Sequence, residues 1–180
     1  MLKQAVDNLY LFDPDFASGA TSFLSSVGGS SASCQINCKD DLKAALDSYV
    51  GVKFLVFDTH GEAGKIALAD SNRVEGLDFM LYMKNPAFLK QGAQILFYGC
   101  SIGAGQPGDM FIDEVGFYML RGKGGIVGAT TVTNLSFQIG SWSSESFMNP
   151  LGRGRLKVKR FDMSGKPVGS RTVDRWGNVM

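Results

Sequence analysis

Phe54-Leu-Val-Phe-Asp-Thr-His60-Gly61 is a short apolar run that ends on the only histidine of the chain. Forty positions later Ile95-Leu-Phe-Tyr-Gly-Cys100 repeats the form, with aromatic and branched residues running into a glycine and a reactive side chain. Runs of this length and composition read as strands buried on both faces, the pattern of parallel sheets. In an open α/β sheet, ligands bind outside the carboxyl ends of the strands. A base at one strand end and a thiol at another therefore point to a cysteine–histidine dyad. The thiolate is the nucleophile, and imidazole is the side chain suited to take its proton near neutral pH.

Working outward, Leu9-Tyr-Leu-Phe12 reads as a first strand closed by Asp13-Pro14-Asp15, with a helix expected from about Phe16 to Val27. Gly28 to Ser33 reads as a flexible loop. Asp40 to Tyr49 has helical spacing, with acidic residues in the first turn where the helix dipole favours them. Val52 to Asp58 is the first key strand, and Lys65 to Ala69 a small extra strand or hairpin arm. A helix is expected over Leu77 to Leu89, interrupted at Pro86. Gln94 to Tyr98 is the second key strand, Met110 to Leu120 a helix ended by Gly122, and Gly125 to Thr131 a further strand. Strands alternating with helices predict an α/β fold, a mostly parallel central sheet with helices on both faces. After Asn134 the pattern changes: Leu156 to Val173 alternates apolar and polar residues around Ser164-Gly165, a β-hairpin signal.

The 180 residues suit one domain, residues 1–180, with a core over about 8–134 and a β-rich C-terminal extension over about 136–180. A net charge of +1 gives no electrostatic reason to expect nucleic acid or an anionic membrane as partner. No apolar run is long enough to span a bilayer, and Met1 to Asn8 lacks the features of a signal peptide. Cytoplasmic residence is the expectation. Three cysteines, an odd number, leave at least one free thiol and argue against a disulfide framework.

The order apolar strand, His-Gly, second apolar strand, Cys resembles the caspase-like cysteine peptidases, the group holding caspases, legumain, gingipains, clostripain and separase. His60-Gly61-Glu62-Ala63-Gly64 is similar to the His-Gly-Glu-x-Gly of caspases, over a likeness running from about Val52 to Thr131. Tyr98-Gly99-Cys100-Ser101 with Gly103-Ala-Gly105 looks closer to bacterial caspase-like domains of surface and effector proteins. Tyr98 stands where caspases carry Gln in Gln-Ala-Cys-x-Gly, which removes the reason to expect cleavage after aspartate.

The resemblance implies a three-layer caspase-like sandwich and a cysteine endopeptidase that hydrolyses peptide bonds in protein or peptide substrates. Cys100 would be its nucleophile, His60 its general acid/base, and the Gly61 and Cys100 amides its oxyanion hole. Asp13, Asp15, Tyr98, Thr130 and Thr131 would line the substrate site, an acidic Asp13 or Asp15 favouring Arg or Lys. It further implies a bacterial enzyme acting in its own cytosol or, as a delivered toxin, in a target cell's. A toxin would have a cognate inhibitor, or immunity, protein as partner.

Blander readings stand beside these. The alternative to a peptidase is a catalytically inactive caspase-like module that binds protein, and a third reading is other acyl or thiol chemistry at Cys100. Cys34-x-x-x-Cys38 reads as free structural thiols or a local disulfide. Zinc would need four ligands, and the one histidine is already committed, so no metal and no cofactor is expected. Gly103 to Gly108 before a helix has the look of a phosphate cradle, but without a Lys-Ser/Thr it reads better as a loop shaping the cleft. Asp58, two before His60, either orients the imidazole or caps the strand. Trp142 and Trp176 read as packing residues.

Overall fold

Alternate residues of the apolar runs go to opposite sides of a sheet, and that division organises the molecule. The structure is a computed structural model and describes residues 3–131, 155–174 and 178–180. In chain order the elements are β1 (Gln4–Ala5), β2 (Asn8–Phe12), α1 (Ala17–Ser26), β3 (Ser31–Gln35), α2 (Lys39–Ser48), β4 (Tyr49–Val50), β5 (Val52–Asp58) and β6 (His60–Glu62). Then follow β7 (Lys65–Ala67), β8 (Arg73–Glu75), α3 (Phe79–Tyr82), β9 (Leu89–Tyr98), α4 (Gly105–Leu120), β10 (Gly125–Thr130), β11 (Leu156–Phe161) and β12 (Pro167–Val173).

Seven strands form one sheet in the order β12-β11-β10-β9-β5-β2-β3. The neighbours from β10 across to β3 pair parallel, while β11 pairs antiparallel with both β10 and β12. Leu9 and Leu11, Leu55 and Phe57, Ile95 and Phe97 face a core that takes in Leu42 and Leu46 of α2, Phe79 of α3 and Phe111 and Val115 of α4. The residues between them, Tyr10, Val56, Leu96 and Tyr98, face a second core with Ala20 and Phe23 of α1. Helices thus cover both faces, and the central runs of β2, β5 and β9 are apolar at successive positions because both of their faces are buried. The α/β class expected from the sequence is what forms.

Aromatic rings fix the first core. Phe57 and Phe97, on adjacent strands, stack at 4.5 Å, and Phe111 of α4 meets Phe97 edge-on at 4.9 Å. Phe79 touches Phe57, Phe97 and Phe111 in T-shaped contacts. Such pairs add about 0.5–1.5 kcal/mol each beyond their buried area.

Two expectations fall short. The stretch from Gly28 to Ser33 is not all loop, since Ser31 onward forms the edge strand β3 beside β2. Its Ser-Ala-Ser-Cys sequence is half-buried at the sheet edge and carries no apolar alternation to read. The helix over Leu77 to Leu89 shrinks to a 3-10 turn (Gly76–Asp78) and the single turn of α3. The chain past Pro86 is instead drawn into β9, which starts at Leu89, five residues earlier than the apolar run indicates. His60 sits just past β5, as expected, and there it opens β6, which with β7 and β8 makes a separate three-stranded antiparallel sheet. Trp142 and Trp176 lie outside the described residues.

Candidate functional site

Numbered along the chain, the five parallel strands run second, first, third, fourth, fifth across the sheet. The direction of winding therefore reverses between β2 and β5. That switch point is where open α/β sheets form their ligand crevice. The loop leaving β2 carries Asp13 and Asp15, and the chain leaving β5 carries His60. On the other side of β5, β9 delivers Cys100.

The register brings histidine and cysteine to equivalent places. Asp58 of β5 pairs with Tyr98 of β9, and His60 and Cys100 each lie two residues beyond that pair. The Thr59 amide donates to the Tyr98 carbonyl at 3.0 Å, so the pairing continues past the strand end. The two chains come so close there that only glycine fits. A Cβ on Gly99 would sit 2.7 Å from the Thr59 carbonyl oxygen and 3.3 Å from the His60 carbonyl carbon. A Cβ on Gly61 would sit 2.5 Å from Cγ1 of Ile102. The glycines beside His60 and Cys100 are explained by this crowding, whatever their amides do.

Cys100 lies in the turn between β9 and α4 and is partly buried. Ser101, next to it, has φ +56°, in the left-handed region that non-glycine residues seldom occupy. Departures of this kind persist where surrounding structure over-determines them. Here the Gly103 amide donates to the Thr130 carbonyl at 2.7 Å, and the Gly64 amide to the Ile102 carbonyl at 2.9 Å. The Thr130 hydroxyl, itself buried, donates to the Gly99 carbonyl, while the Gly99 amide lies 3.3 Å from the same oxygen. Gly108 in the first turn of α4 packs directly on Gly103, where a Cβ would be 2.2 Å from its carbonyl carbon. The glycines of this loop serve close backbone packing and leave no open cradle between Gly103 and Gly108.

His60 is half exposed, and its Nε2 lies 2.9 Å from Oδ2 of Asp15. The Phe16 ring stands against the imidazole at 4.9 Å between centroids. Asp58 is otherwise engaged: fully buried, it accepts the Tyr10 hydroxyl proton beneath α1, where Gly19 leaves room for both groups. Strand alternation, which would have put Asp58 and His60 on one side, fails because β5 ends at Asp58 and His60 starts a different sheet. Asp13 is buried. Its Oδ1 accepts the Asp15 amide at 3.1 Å, and its Oδ2 has no hydrogen-bond partner among the described residues. Asp13, Asp15 and His60 share a surface depression with Pro14, Ser71 and Arg73.

Of the residues expected at a substrate or catalytic site, Asp13, Asp15 and His60 come together at the switch point, while Cys100 follows β9 on the far side of β5. Tyr98 and Thr130 point inward, Tyr98 into the second core and Thr130 onto Gly99. Neither offers its side chain to a bound molecule. Thr131 is half-buried, its hydroxyl 3.3 Å from the Arg155 carbonyl oxygen. Cys34 and Cys38 are free thiols, and burial, with Asp41 nearby, pushes the Cys34 thiol above its ordinary range. The clamp from Thr130 and the packing of Ile102 on both glycines have no signature in the sequence, because each joins residues that only the sheet brings together.

Residues 33–146 match a family described as a domain of unknown function, DUF4347. The match covers more than half of the chain, which belongs to that family. It spans His60 and Cys100 and begins after Asp13 and Asp15. No curated protein and no solved structure matches the chain. No helix among the described residues is long and apolar enough to cross a membrane.

Proposed function

We propose that this protein is a cysteine endopeptidase of caspase-like type, with Cys100 as nucleophile and His60 as general acid/base. The observation that carries the reading is the register of β5 and β9. It sets the one histidine and Cys100 at equivalent positions past adjacent parallel strands, next to the switch point of the sheet. The three-layer arrangement implied by the caspase resemblance is supported by the parallel pairings from β10 to β3 and by helices on both faces.

In this mechanism the Cys100 thiol gives its proton to His60 and the thiolate attacks the scissile carbonyl. The tetrahedral oxyanion is met by backbone amides of Gly61 and Cys100. Imidazolium then protonates the leaving amine, and water activated by the same imidazole releases the acyl group from the sulfur. Asp13 and Asp15 beside His60 favour a basic residue, Arg or Lys, before the scissile bond. The substrate is a protein or peptide, met in the cytosol of the producing bacterium or, for a delivered toxin with an immunity partner, in a target cell's.

A second reading, a caspase-like binding module without catalysis, draws on the contact between His60 Nε2 and Asp15, which holds the imidazole by a carboxylate. Digestion of a peptide library by the wild-type protein and by Cys100→Ala separates the two. Cleavage after Arg or Lys that vanishes in Cys100→Ala supports the peptidase. No cleavage, together with iodoacetamide labelling of Cys100 no faster than that of a model thiol across pH, overturns it.

A further inference from the structure

We propose that Asp13, Asp15 and His60 form a binding site for one divalent first-row transition cation, and that the cation, by holding His60, switches the peptidase off. The binding half stands on geometry alone, whereas the switch rests on the peptidase reading.

One carboxylate oxygen from each aspartate and one imidazole nitrogen lie within 4.8 Å of one another. Ligands on adjacent corners about 2.1 Å from an octahedral ion are about 3 Å apart, and opposite ones about 4.2 Å. The 2.9 Å between His60 Nε2 and Asp15 Oδ2 already equals an adjacent pair. The widest separation needs to close by about half an ångström, within reach of the exposed Asp15 and His60 side chains.

An exposed acidic group alone would say little, but Asp13 adds a different kind of observation. Its carboxylate is 1% exposed, and Oδ2 is buried with no hydrogen-bond donor among the described residues. A buried carboxylate oxygen without donor or cation is costly. Asp13 is also held stiffly, because Oδ1 caps the Asp15 amide, which leaves Oδ2 as the atom for a ligand in the depression it lines. Among the described residues, the one cationic side chain lining that depression besides the imidazole, Arg73, is turned to other partners: its Nε lies 3.2 Å from a Glu62 carboxylate oxygen and its Nη1 2.9 Å from the Ser71 carbonyl oxygen.

The donor set selects the metal. An imidazole nitrogen favours Zn²⁺, Co²⁺ or Ni²⁺ over Ca²⁺, Mg²⁺ or Mn²⁺, which suit oxygen ligands. Two carboxylates balance the charge of one divalent ion, and the exposed side leaves positions for water. A neutral imidazole has a single ring lone pair. Once the metal takes it, the other nitrogen carries hydrogen and cannot accept the Cys100 proton. The metal need not touch Cys100 to stop the reaction.

Titration of the full-length protein with Co²⁺, followed by its visible spectrum, tests the site without reference to activity. The expected result is saturation at one ion per chain with weak d–d bands of nitrogen and oxygen ligands. Binding should be retained in Cys100→Ala and weakened at least tenfold in Asp15→Asn, an exposed position whose change leaves the fold intact, and in Asp13→Asn. An intense near-ultraviolet thiolate-to-cobalt band, binding indifferent to Asp15→Asn, or no saturable binding overturns the site. For the switch, Zn²⁺ should inhibit wild-type cleavage reversibly, with EDTA restoring it, and inhibit Asp15→Asn at least tenfold less well. Equal inhibition of both overturns the switch. Cobalt binding in a protein that cleaves nothing keeps the site and removes the peptidase reading.

Discussion

The aromatic core under α3 and α4 and the polar end of the same strands are built from the same chain segments under opposite rules. In the core, Phe57 and Phe97 stack within β5 and β9, closed over by Phe79 and Phe111, all of them fully or almost fully buried. Within three residues of their ends, these strands give way to a half-exposed histidine, a partly buried thiol and a serine at positive φ, and beside them the chain leaving β2 carries Asp13, whose buried Oδ2 has no described donor. The comparison teaches that the ordered region fixes the register and the polar region inherits it. His60 and Cys100 keep their positions because the rings behind them cannot slide by one residue without turning every side chain to the other face.

The sharpest break in that comparison is Cys100→Ala, which on the proposed peptidase reading should abolish peptide hydrolysis while leaving the unfolding free energy within about 0.5 kcal/mol of wild type in urea titrations. Removal of a ring from the other region, Phe97→Ala, should cost about 3–5 kcal/mol in the same measurement. Activity should fall with the folded fraction.

Between the regions, Gly61→Ala puts a methyl group onto Ile102 and should cost about 1–3 kcal/mol. In a double-mutant cycle with Ile102→Ala the combined loss should fall clearly short of the sum of the two single losses; additive losses would place the strain elsewhere. Thr130→Val removes the hydroxyl that binds Gly99 and should cost about 1 kcal/mol, with a several-fold drop in the alkylation rate of Cys100 relative to Cys34. An unchanged rate would mean that the clamp does not position the thiol.

The smallest effect is electrostatic and lies at the hairpin side of the sheet. Burial works against ionisation of Asp109, but hydrogen bonds from Lys157 and Lys159 outweigh it and hold the carboxyl below its ordinary value. A carboxyl lowered in the folded state stabilises the protein above its unfolded pKa, and this support is lost as pH falls through the lowered folded value. Below about pH 4, the wild-type protein should therefore lose stability faster than Asp109→Asn. Parallel acid titrations of the two unfolding midpoints check this.

Much of the sheet was legible in the residues. The runs into His60 and Cys100 announced β5 and β9 because strands buried on both faces leave a continuous apolar signal. The helix expected over Phe16 to Val27 forms over Ala17–Ser26. The edge strand β3, half-buried and made of serine, alanine and cysteine, left no such signal, and α3 gave way to a strand beyond Pro86. At the candidate site, Asp13, Asp15 and His60 were singled out from the sequence and share one depression, whereas Tyr98 and Thr130, expected to line a substrate site, are interior.

By itself the sequence determined the strand segments, their apolar faces and the one histidine and one cysteine set beside glycines at strand ends, because these follow from composition and period along the chain. Only the tertiary structure decided that β5 lies between β2 and β9, that Asp15 rather than Asp58 meets His60, and that Thr130 holds Gly99. Those contacts join residues 31 to 45 positions apart. Local pattern carries no record of such pairings, which arise from strand order and from the space left when the core closes.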